Sequence, residues 1–180
     1  MQTDKQKTMK NSKGAGIRFK INACILCALV VLIALMMVLV DRASKYNAQY
    51  SQILDSISKV TFIKDNASYL GRTVVAKCGT GGDLASSGHV EIIDTMEQYV
   101  AEVGENVPQD AEYSEMRNQF DKFASEAGKF IAAFRELQAA CGNEYSSKGM
   151  NAAQDMSGSM SFVSSSAETL LASEIARSEQ

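Results

Sequence analysis

Residues 21–40, INACILCALVVLIALMMVLV, form a run of 20 residues without one acidic or basic side chain. No other feature limits the fold as severely. As a helix rising about 1.5 Å per residue, the run is roughly 30 Å long, the thickness of a bilayer's hydrocarbon core. A cleaved secretory signal also starts with a basic stretch, but its apolar region spans only about 7–15 residues and ends at a small-x-small site. Val40-Asp41-Arg42-Ala43 supplies no such site, so the run is expected to persist as a membrane helix.

Charge divides at this run. Residues 1–20 carry Lys5, Lys7, Lys10, Lys13, Arg18 and Lys20 against Asp4, whereas residues 41–180 carry 12 basic and 20 acidic side chains, giving −3 for the chain. By the positive-inside rule the basic tail is cytoplasmic and residues 41–180 lie outside the cell membrane. The same tail suits anionic lipid headgroups, and with the basic residues confined there no nucleic-acid partner is expected. A 46% hydrophobic content with one proline predicts an ordered domain rather than a linker-rich chain.

Beyond the membrane run, apolar residues recur at spacings of three and four, the mark of amphipathic helices. The clearest seam is Tyr113, Met116, Phe120, Phe123, Ala127, Phe130, Phe134, Leu137 and Cys141, four heptads of left-handed coiled-coil period. It predicts a third external helix from Pro108 to Cys141. The second shows Ile93, Met96, Val100, Val103 and Val107, starts near Asp83 and closes at Gly104 and Pro108. The first, Asp41 to Cys78, continues the membrane helix with Tyr46, Tyr50, Ile53, Ile57, Val60, Ala67 and Val74 in phase, Lys64 and Gly71 being weak points. Leu54, Phe62 and Tyr69 form a second stripe on it. Glycines 79, 81 and 82 make a turn. The fourth, Glu144 to Gln180, shows Ala153, Met156, Met160, Val163, Ala167 and Leu170.

Four such helices with short connections predict an all-α chain: an N-terminal transmembrane helix continuing into an extracytoplasmic, antiparallel up-down-up-down four-helix bundle. Its domains are a basic tail 1–20, a membrane helix 21–40 and a bundle 41–180. Cys78 and Cys141 end the two outward helices and are expected at the far tip. There a disulfide and a pair of buried free thiols are both compatible with the sequence. Cys24 and Cys27 lie inside the membrane run without His or carboxylate partners, so apolar packing rather than metal binding is expected.

A short basic start, one membrane helix from Arg18 to Asp41 and the four seams together resemble the N-terminal part of bacterial methyl-accepting chemotaxis receptors. The resemblance implies a homodimeric sensor. A small molecule or binding protein docks on the bundle, and a slight displacement of helix four crosses the membrane as the signal. It also implies a second span, a HAMP linker and a signalling coiled coil, none within these 180 residues, so the region would be a sensor cut before its output. Family members that bind amino acids use arginines on the outer half of helix one with polar groups on helix four. Lys64, Arg72 and Thr73 occupy comparable territory, an ordinary solvated face being the alternative.

Other chemistry is poorly supplied. One histidine, His89, lies one turn before Ile93, where a satisfied bundle or cap histidine is the simpler role. The stretch Cys78-Gly79-Thr80-Gly81-Gly82-Asp83 lacks the Gly-Lys-Ser/Thr of a phosphate loop, and no nucleophile, base and oxyanion donors assemble. No enzyme activity, cofactor or metal is expected. The alternatives to a chemoreceptor are the external region of a sensor histidine kinase and a stand-alone single-span helical interaction protein.

Overall fold

The computed structural model describes the backbone of residues 4–79, 84, 88–141 and 147–178, and the side chains of 19–78, 84, 88–141 and 147–178. Among them are four α-helices, one 3-10 turn and no strand: α1 (Asp4–Gly79), α2 (His89–Asn106), the turn Ala111–Tyr113, α3 (Ser114–Ala140) and α4 (Ser147–Ser178). The chain divides into two units, Met1–Gln49 and Tyr50–Gln180.

In the first unit α1 is already helical at Asp4, within the stretch expected to be only a basic tail. The side chains of Lys5 to Arg18 lie outside the described residues. From Phe19 to Val40 the large apolar side chains are all exposed. A helix apolar on every side needs lipid or protein around it, and this one is long and apolar enough to cross a membrane.

The second unit holds the core. Its α1 segment buries Ile53, Ser56, Val60, Ile63, Ala67, Leu70, Val74 and Cys78, which alternate at three and four up to Val74. Thus Ile63 and Leu70 fill the two gaps that Lys64 and Gly71 leave in the expected seam. The phase puts Ser56 where Ile57 was expected, and Ile57 is only half-buried. Tyr46 and Tyr50, expected in the seam, are exposed. From the other helices come Ile93, Met96 and Val103; Met116, Phe123, Ala127, Phe130, Phe134 and Leu137; and Met156, Val163, Ala167 and Leu170, all buried. Val100, Phe120 and Met160 are half-buried against this core rather than within it. They lie at the edges of their stripes, the last two because they lean over glycines on neighbouring helices.

Contacts between helices follow regular pairings. Between α1 and α2, Lys59 meets Glu102 at 2.7 Å and the Phe62 ring meets Tyr99 edge-on at 5.2 Å, three residues on and three back. Phe62, assigned to an unused second stripe, is therefore engaged within the chain; Leu54 and Tyr69 remain exposed. Between α1 and α4, Lys64 meets Glu168 at 3.4 Å and Gly71 lies beneath Met160. Between α3 and α4, Arg177 reaches the Met116 sulfur and the Ser173 hydroxyl donates to Gln119 at 2.6 Å. Arg135 of α3 joins Asp94 and Glu97 of α2.

Helix limits differ from the sequence expectation for local reasons. Gly88 adopts a left-handed φ of 72°, and α2 starts after it rather than near Asp83. Helix three does not start at Pro108. Val107 and Asp110 are extended, and the Arg117 guanidinium donates to the carbonyls of Pro108 at 2.9 Å and Asp110 at 2.7 Å, holding that strap outside the helix. The expected start of helix four at Glu144 and the turn residues 80–83 lie outside the described residues, as does Gln180.

Two glycines test the packing. A Cβ on Gly71 would stand 2.6 Å from the Met160 sulfur, whereas one on Gly104 would stand 2.8 Å from the Phe120 ring. A thioether swings aside and a ring does not. Gly71→Ala should therefore stay within about 1 kcal/mol of the parent, its helix-propensity gain offsetting the shift. Gly104→Ala should lose about 1–3 kcal/mol by overpacking. Urea denaturation of the two variants checks the contrast.

Candidate functional site

The residues that the family resemblance singles out on α1 do not converge. Lys64 and Arg72 are eight residues apart, about 12 Å along a helix. Lys64 donates to Glu168 of α4, Arg72 is exposed with no ion-pair partner among the described residues, and the Thr73 hydroxyl donates to the Tyr69 carbonyl one turn back at 2.8 Å. The back-bond is the usual fate of a threonine within a helix. These three side chains thus have separate surroundings in the structure.

At the end of the α1 stripe, Cys78 and Cys141 are joined in a disulfide, with Cα atoms 5.7 Å apart and a sequence separation of 63. That separation of Cα atoms lies within the range a bridge spans. Cys24 and Cys27 are free and exposed. His89, first residue of α2, is buried with its ring 6.1 Å from Tyr69. Burial first and the charge of Lys77 second hold its imidazole below the ordinary histidine pKa.

A polar cluster links α1 to α2. Lys59 bridges Asp55 on its own helix and Glu102 on α2, with its ammonium 5.8 Å from the Tyr99 ring centroid. The hydrogen bond to Asp55, then that to Glu102, raises the Lys59 pKa; the Lys59 hydrogen bond lowers that of Glu102. Such a cluster orders two helix faces and offers no reactive group.

The site missed by sequence reading lies inside the core. Glu174 of α4 is 0% exposed and Ser56 of α1 is 1% exposed, and among the described residues these are the two buried side chains with a polar atom lacking any hydrogen-bond partner: Glu174 Oε1 and Ser56 Oγ. The other carboxyl oxygen, Oε2, accepts from Arg177 at 3.3 Å. Desolvation raises the Glu174 pKa, and Arg177 partly opposes the rise. Its position was readable: Val163, Ala167, Leu170 and Glu174 keep one phase of four, three and four. A charged residue in that phase is the signal.

On the outer side, two open grooves between α3 and α4 meet at Glu126 and the exposed Phe162. No protein-family model, curated protein or solved structure matches this chain.

The disulfide gives a direct prediction. Replacing Cys78 and Cys141 together by serine should cost about 4 kcal/mol by the chain-entropy account of a loop this long. Lys64→Ala should cost under about 1 kcal/mol, as partly exposed pairs do. Denaturant midpoints of the oxidised parent and both variants, with non-reducing gel mobility to verify the bond, test both.

Proposed function

We propose that this chain is a membrane-anchored sensor region of the chemotaxis-receptor kind. In this reading residues 21–40 cross the cell membrane with the basic N-terminus in the cytoplasm, and the remainder forms an antiparallel up-down-up-down bundle outside. The opposite-running pairs Lys59–Glu102 with Phe62–Tyr99, and Lys64–Glu168 with Gly71–Met160, support that bundle order. A small molecule or partner protein on the bundle would shift α4 by a small distance along its axis.

The observation that carries this reading is how α4 satisfies its own hydroxyls. Ser159, Ser166, Thr169 and Ser178 donate to carbonyls three or four residues back on the same helix. Such bonds travel with the helix when it moves. Polar ties from α4 to other helices are few among the described residues: Glu168 to Lys64, Ser173 to Gln119 and Arg177 to the Met116 sulfur. Buried Met156 and half-buried Met160 are its adaptable inner groups, suited to the two nearly equal packings that a transmembrane switch requires.

Exposed Tyr46, Tyr50 and Leu54 on α1 favour self-association as a homodimer. A sensor histidine kinase would use the same external design, and a stand-alone single-span interaction protein would need no movable helix.

Topology is tested in a Cys24→Ala, Cys27→Ala background on intact cells. A cysteine at Ser161 should react with a membrane-impermeant thiol reagent, and one at Ser12 should not; the reverse pattern refutes the orientation. Ligand binding is tested by thermal-shift screening of the purified full chain against amino and organic acids. A binder at a hundred times its Kd adds about 2.7 kcal/mol, a rise of a few degrees. Sedimentation at micromolar concentration should give the mass of a dimer.

A further inference from the structure

The buried carboxyl of Glu174 carries an inference that does not depend on the receptor reading. Continuing the α1–α4 pairing six residues beyond Glu168 reaches Glu174, and six residues before Lys64 reaches Ser58, within one turn of Ser56. The two unpartnered polar atoms therefore occupy one layer of the core. The groups around that layer are accounted for. On α1, Asp55 and Lys59 are bridged to each other, and Lys59 also to Glu102. Val103 and Val107 are buried on the α2 side, where Glu105 is exposed. On α3, Met116 is buried, Glu115 is exposed, Gln119 accepts from Ser173 and Arg117 is committed to the Pro108 and Asp110 carbonyls. On α4 itself Arg177 donates to Oε2 and also reaches the Met116 sulfur of α3.

An ionised carboxylate here has four lone-pair sites and a single donor at 3.3 Å, and an incompletely paired buried charge costs several kcal/mol. A protonated carboxyl removes the charge and gains a donor of its own, while Ser56 brings an acceptor to the same layer. We propose that Glu174 is a proton-binding site of the folded domain: protonated, it lets the C-terminal turns of α4 seat against α1, and ionised, it unseats them. Desolvation acts in the same direction on its acidity. The sign of the linkage follows. A folded-state proton affinity above that of the unfolded chain gives stability that is complete below the ordinary carboxylate pKa. This stability is lost as pH rises through the folded value.

The test uses the full chain in dodecyl maltoside, whose lack of ester carbonyls leaves the carboxylic C=O region clear. Thermal midpoints are compared at about pH 5 and about pH 8. The parent should lose about 5 °C more between these conditions than Glu174→Gln, and at the higher pH the variant should be at least as stable as the parent. At the lower pH the parent's infrared spectrum should contain a protonated-carboxyl contribution that is missing from Glu174→Gln. Glu174→Met, a neutral side chain of similar volume, should also fold. The proposal is overturned by equal pH dependence in parent and Glu174→Gln, by absence of that infrared difference, or by failure of both variants to fold.

Discussion

The second unit depends on the burial of one aromatic ladder. Phe123, Phe130 and Phe134 of α3 are each wholly removed from solvent, and among the described residues no other helix contributes a fully buried aromatic side chain of this size. Each ring is worth about 1.5–3 kcal/mol of transfer free energy, but only when three further apolar stripes surround it. The stripes around it mix small and large buried residues: Ala67, Ile63 and Leu70 on α1, and Ala152, Ala153, Ala167, Met156 and Leu170 on α4.

Polar contacts add orientation more than cohesion. Arg135 with Asp94 and Glu97, and Lys64 with Glu168, involve exposed or partly exposed groups, and such pairs contribute little individually. They run across neighbouring helices at matched heights, so a slipped pairing would oppose like charges or leave them alone. The lone buried carboxyl behaves differently, because it has no solvent to retreat to. Its environment makes protonation state and helix packing one equilibrium.

Much of this was legible in the sequence and some was not, for identifiable reasons. The apolar run at 21–40 and the α3 seam are long and regular, so period alone identifies both helices. On α1 the reading drifted because Ile57 is more apolar than Ser56. Hydrophobicity selected the wrong neighbour, whereas the alternation of three and four, carried through Ile63 and Leu70, selects the right one. Helix limits failed where geometry depends on distant partners: Pro108 looks like a helix start until Arg117, nine residues later, captures its carbonyl. Candidate site residues Lys64, Arg72 and Thr73 came from analogy with a family, and in this chain each is committed to a different surrounding. Hydrophobicity alone assigns Ser56 and Glu174 to the surface; only their helical phase places them inside.

The covalent bridge between Cys78 and Cys141 has a mechanical meaning. It fastens the last turn of α1 to the residue that follows α3, so that axial slippage of these two helices past each other is limited to the flex of one linkage. In the proposed receptor reading the pair is the fixed part of the bundle, a stator, and α4 is the element left to move. Reduction of the bridge removes that covalent limit, and the contrast between fixed and moving helices goes with it.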